Sequence, residues 1–229
     1  MSGQGGAQAG AQGSGPSGEQ GSRRGDPNKL GHGEASSSEL GPAPKRIIVS
    51  YGFWIFLLSD FIMFAAFFAA YAVLAGETAG GPAGRELFDL RLVGWETTFL
   101  LLSSFACGMA GVAMVARNRV WFQVAMAATA LLGAAFLALE LYEFTHLIGE
   151  GNGPSRSAFL SGFFALVGCH GLHVALGLIW LTTMMAQVWA KGFRDDIRRR
   201  IACFTLFWHA LDIIWVALLT VVYLLGTST

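Results

Sequence analysis

After residue 46 the chain reads as five long apolar stretches separated by short polar interruptions. Each stretch reaches the roughly 20 residues that a helix needs to cross the hydrocarbon core of a bilayer. The pattern predicts spanning helices over about 47–75, 95–116, 121–148, 158–190 and 201–225. No stretch alternates apolar and polar residues in the ten-residue segments of a membrane β-barrel. Aromatic side chains stand at several predicted ends (Tyr51, Trp95, Trp121, Trp189 and Tyr223), as expected of rings that favour the headgroup layer. Gly80-Gly81-Pro82 and Gly151-Asn152-Gly153-Pro154 predict turns in the two loops on one side of the membrane. The expected architecture is an all-α integral membrane protein, a five-helix transmembrane bundle over residues 47–229.

Residues 1–46 break the pattern. They hold 12 of the 30 glycines and runs such as Ser36-Ser37-Ser38, with almost no large apolar side chain. Such a segment cannot bury enough surface to offset its ordering entropy, which predicts a disordered Gly/Ser/Gln-rich tail. It lacks the short apolar stretch and small-residue cleavage site of a secretory signal.

Composition narrows the function classes. Apolar residues make up 54% of the 229 and charged residues 13%, about half the charge of a soluble domain. Lys plus Arg equals Asp plus Glu at 15 each, which removes the basic footprint of a nucleic-acid binder. Cys107, Cys169 and Cys203 lie in apolar runs with no CxxC pair, so they read as small buried hydrophobes. No phosphate-binding loop and no GxSxG nucleophile elbow occurs. Ser104/Gly108 and Cys107/Gly111 are small residues four apart and predict close helix packing. Glu96 opens the second span and reads as a helix-start acid in the interface.

Orientation follows from the cations in the short flanks. Arg23, Arg24, Lys29, Lys45, Arg46, Arg117, Arg119, Lys191, Arg194, Arg198, Arg199 and Arg200 fall on one side, against Arg85, Arg91 and Arg156 on the other. The positive-inside rule then predicts a cytoplasmic N-terminus and an outer C-terminus.

Inside the predicted spans stand Asp60, Glu140, Glu143, His170, His173, His209 and Asp212. A charged group at mid-bilayer costs roughly 2.5–3.5 kcal/mol on insertion scales, so each is expected to face the bundle interior with a partner. The pairs 140/143, 170/173 and 209/212 are spaced i, i+3, which places each pair on one helical face. Three readings of this intramembrane polar network stay open. It is interhelical glue, a proton route, or a metal site. Its ExxE, HxxH and HxxD pattern differs from the paired ExxH helices of di-iron bundles.

Gly-Phe-Trp-Ile-Phe-Leu-Leu-Ser-Asp (52–60), Glu-Leu-Tyr-Glu-Phe (140–144), Phe-Phe-Ala-Leu-Val-Gly-Cys-His-Gly-Leu-His-Val (163–174) and Phe-Trp-His-Ala-Leu-Asp-Ile-Ile-Trp (207–215) resemble subunit III of the haem–copper respiratory oxidases. The resemblance runs from about residue 47 to the C-terminus, in family order. The five-span layout, Asp60 in place of a glutamate, and the Gly-Pro loops are similar to the quinol-oxidising cytochrome bo branch. The long tail departs from that branch, whose members have a shorter leader.

The resemblance implies a non-catalytic subunit in a bacterial cytoplasmic membrane. It implies haem and copper in the partner subunit I and none in this chain, with phospholipid bound in a cleft. Subunit I would be the main contact, with subunits II and IV in the same complex, and no nucleic acid. Asp60 matches the family's first-span acid, Glu140 and Glu143 its ExxE, His170 and His173 its HxxH, and His209 and Asp212 its HxxD, with no catalytic or metal-binding role among them. The rival readings are subunit III of a cytochrome c oxidase, a small proton-coupled transporter and a membrane metalloenzyme. An odd number of spans without an internal repeat disfavours the transporter.

Overall fold

The computed structural model describes residues 45–78 and 89–224. The tail expected over 1–46, except for the backbone of Lys45 and Arg46, lies outside them. So do Arg85, the Gly80-Gly81-Pro82 turn and Leu225. Five helices carry the described chain: α1 (Lys45–Leu74), α2 (Leu90–Val115), α3 (Arg119–Gly149), α4 (Ala158–Lys191) and α5 (Asp195–Leu218). A π-helical turn, Leu219–Leu224, continues α5. All five are long and apolar enough to cross a membrane, α5 together with its π turn.

The helices outrun the apolar stretches that announced them, because hydropathy marks the hydrocarbon core while a helix continues into the headgroups. α2 starts at Leu90 behind Asp89, whose carboxylate accepts the Arg91 amide at 2.9 Å. α5 starts at Asp195, six residues before the predicted 201. Asp195 and Asp196 suit its positive N-terminal end, so Arg198, Arg199 and Arg200 sit in helix and not in a loop. Asn118 caps α3 through the Trp121 amide, and Ser157 caps α4 through the Leu160 amide. Arg117, with φ 55°, makes the tight α2–α3 turn. Gly151, with φ 81°, lies in the predicted 151–154 turn, where a side chain would be strained.

α2 and α3 pack as a close pair, α4 packs on α1, α3 and α5, and α5 also packs on α1 and α2. The most apolar window of α5 is 56% buried and that of α1 only 11%. α5 is therefore the spine of the bundle. Its Trp208 lies over two glycines: a Cβ on Gly133 of α3 or Gly177 of α4 would come within 2.9 Å of the indole. The missing side chains at 133 and 177 make the room that the indole fills, and its Nε1 donates to Ser103 of α2 at 3.0 Å.

Candidate functional site: three groups of intramembrane polar residues

The seven polar residues singled out by sequence fall into three groups. In the first, α1 and α4 place Asp60 within electrostatic range of Cys169 and His173. The His173 Nδ1–H donates to the Cys169 carbonyl at 2.7 Å, which leaves Nε2 as the ring's acceptor position. The ring also packs on Phe64, with centroids 5.3 Å apart. Asp60 keeps a buried Oδ2 without a hydrogen-bond partner. One turn away His170 is fully buried, ringed by Trp215 at 5.3 Å, Phe136 at 5.8 Å and Phe64 at 6.3 Å. Neither of its nitrogens has a hydrogen-bond partner.

The second group gathers carboxyls. Glu140 is buried, and its carboxyl lies against α4 at Gly171, where any Cβ would overlap it. Glu143 Oε2 accepts the Tyr223 hydroxyl at 3.0 Å while Oε1 has no partner. Glu96, read from sequence as an interfacial helix-start acid, is instead fully buried and interacts electrostatically with Glu140 and Glu143. The reason is helical phase. Val93, Glu96, Leu100, Ser103 and Cys107 form the buried face of α2, and α2 begins six residues before Glu96. That 3–4 spacing was the available signal. Tyr223, at the end of its span as expected, lies in the π turn and is fully buried instead of exposed. Tyr51, Trp95, Trp121 and Trp189 are exposed, as rings at the headgroup layer are. A cavity of about 250 Å³ lined by Asp89, Glu143, His146 and Glu150 opens beside Glu143.

The third group is an antiparallel seam between α2 and α5. Trp215 donates to Thr97 at 3.0 Å, Trp208 to Ser103, and the Cys107 thiol to Thr205 at 3.9 Å. The Ser104 hydroxyl shares a hydrogen bond with His209 Nδ1. Asp212 Oδ2 approaches the same Nδ1 at 3.8 Å, and Asp212 Oδ1 is left without a partner. Ser, His and Asp do not form a nucleophilic triad here, because that requires Ser and Asp on opposite ring nitrogens. Among the described residues no three His, Cys, Asp or Glu side chains converge on a point that could hold a metal ion.

Five helices long and apolar enough to cross a membrane, with polar clusters buried among them, define an integral membrane protein. Residues 43–227 match the family model described as cytochrome c oxidase subunit III, and the chain belongs to that family. It is 53% identical over 175 residues to the cytochrome bo(3) ubiquinol oxidase subunit 3 of Pseudomonas putida, covering 76% of this chain and 84% of the relative. It is 42% identical over 175 residues to the quinol oxidase subunit 3 of Bacillus subtilis strain 168, covering 76% and 86%. It is 41% identical over 179 residues to the cytochrome c oxidase subunit 3 of Bacillus sp. strain PS3, covering 76% and 84%. The chain is thus an accessory subunit III of a haem–copper terminal oxidase, a multi-pass bacterial membrane protein that works within a complex of several subunits.

Proposed function

We propose that this subunit serves a quinol oxidase, in which quinol oxidation drives reduction of oxygen to water and proton pumping. The observation that carries the donor is the 53% identity to a relative named as a ubiquinol oxidase subunit, against 41% to one named for cytochrome c. Haem and copper belong to subunit I, which is the main contact, with subunits II and IV in the same assembly. The N-terminus lies in the cytoplasm, a placement the cation count of the flanks supports. The chain is non-catalytic: it packs on the catalytic subunit, holds phospholipid and supports proton uptake. The mixed-donor relatives keep a cytochrome c oxidase as the second reading.

Within that role the polar groups divide the work. Ser104, His209 and Asp212 hold α2 to α5. Asp60 and His173 handle protons, an acid facing an imidazole whose Nε2 is not used by its own helix. Glu96, Glu140 and Glu143 form a second proton-holding set closed by Tyr223.

The test is a complex purified through a tag on this chain in mild detergent. A reduced-minus-oxidised spectrum with haem bands that shift on adding carbon monoxide is expected. Turnover with ubiquinol and none with ferrocytochrome c is expected next, and the reverse pattern overturns the donor. His173→Leu is expected to assemble normally and turn over slowly. Loss of assembly would make His173 structural.

A further inference from the structure

The sequence reading paired Ser104 with Gly108 and Cys107 with Gly111 as helix-packing positions, and the structure divides them. Ser104 and Cys107 are buried against α5, whereas a Cβ built on Gly108 or Gly111 would meet nothing within 4 Å. Among the described residues, nothing packs against the small side of the motif at Cβ distance. Both glycines continue the Ser104 stripe toward the cytoplasmic end of α2, by one turn and by two. There the stripe reaches a cavity of about 540 Å³ lined by Ser50 of α1, Met114 of α2, and Asp195, Arg198, Arg199 and Ala202 of α5. α1 and α2 both pack on α5, so α5 is the floor of a groove between them. Ile213 and Val216, exposed at 64% and 45%, extend the floor toward the outer side.

Halfway up this floor stands His209, with its side chain 42% exposed. It is roughly 20 Å from either end of the Asp195–Leu224 helix at about 1.5 Å per residue. Ser104 and Asp212 both approach Nδ1, so Nε2 takes neither contact. Beside it the Asp212 side chain is nine-tenths buried with Oδ1 unpartnered. Acyl chains cannot hydrogen-bond an imidazole, and from mid-depth the headgroups begin about 15 Å away. What fits is a polar side chain delivered at mid-depth by a helix, on a surface of small residues that lets two backbones approach.

We propose that the groove between α1 and α2 seats a membrane-spanning helix from another oxidase subunit, which hydrogen-bonds His209 at mid-depth. This rests on the chain's place in an oxidase complex and adds the face through which it assembles. The arginines at the cytoplasmic mouth, Arg198 and Arg199, meet that helix where it leaves the bilayer.

The experiment uses the intact oxidase. Benzoylphenylalanine in place of Ile213 is expected, on irradiation, to give a covalent adduct between this chain and another oxidase subunit. The same probe at Leu131 of α3, exposed at 74%, is the reference position. Gly108→Leu adds bulk to the groove from a position where a Cβ meets nothing within 4 Å. It is expected to leave the yield of membrane-inserted chain unchanged while lowering the haem recovered per chain at least threefold. An adduct at 213 with lipid alone or with a second copy of this chain overturns the proposal, as does full haem recovery with Gly108→Leu. Recovery of haem with the native chain separates the two readings. Haem without a partner adduct removes the groove alone, and no haem at all removes the oxidase assignment with it.

Discussion

The α2–α5 seam and the carboxyl group around Glu140 are both polar, both buried and built partly on the same two helices, yet they balance their hydrogen bonds differently. In the seam, Ser103 donates to the Leu100 carbonyl at 2.7 Å and accepts from Trp208 at 3.0 Å. Thr97 does the same with the Val93 carbonyl and Trp215. These two hydroxyls are used in both directions and both indoles find acceptors, while Asp212 Oδ1 is the seam oxygen left without a partner. Around Glu140 the oxygens outnumber the donors: Glu96 Oε1 and Oε2, Glu140 Oε2 and Glu143 Oε1 are buried without partners. A bundle does not gain stability from unsatisfied buried acids, since each forfeits its hydration. The seam is therefore what holds the helices, and the carboxyl group is carried at a cost that function must justify.

Substitutions can break or sharpen that contrast, with thermal unfolding of the detergent-solubilised protein as the common measurement. The largest effect is expected from Trp208→Ala, which empties the space between Gly133 and Gly177 and strands Ser103. A loss of about 3–5 kcal/mol is expected, and a loss under about 1 kcal/mol would show that the indole is not the keystone of the bundle. Gly177→Ala pushes a Cβ to within 2.9 Å of a rigid ring and should cost about 1–3 kcal/mol, where Gly171→Ala meets only the movable end of Glu140 and should cost less. Reversal of that order would mean the Glu140 carboxyl is held more firmly than the indole. Trp215→Phe removes one interhelical hydrogen bond and keeps most of the ring packing. About 0.6 kcal/mol is expected, the usual worth of such bonds in membranes. The smallest effect should come from Glu96→Leu, which replaces an unpartnered acid by an apolar side chain of similar size. Stability should hold or rise. A clear drop in the unfolding temperature would reveal a partner for Glu96 and erase the distinction between the two regions.

The same contrast separates what was legible in the chain from what was not. Five spans and the seven polar positions inside them could be read directly, because apolar length and an ionisable residue within it are local properties. The ends of the helices were blurred at Leu90 and Asp195, where polar residues continue a helix that hydropathy no longer sees. The burial of Glu96 and Tyr223 was missed for a related reason: each lies near a span end, where depth alone favours the interface. Their burial depends on rotational phase, and Tyr223 lies in a π turn that no hydropathy profile reports.

By itself, then, the order of residues determined that this chain lives in a membrane as five helices and which side chains its bilayer would tolerate only with partners. The family strings determined the kind of complex it serves. The tertiary structure decided the grouping: which acid meets which hydroxyl, that Trp208 needs two glycines from two other helices, and that a Cβ at Gly108 or Gly111 would meet nothing within 4 Å. Spans are written in local hydropathy, which short windows of sequence contain. Partnerships across 98 to 118 residues arise when helices choose their rotation and register against one another. That choice is a property of the packed bundle, not of any one segment.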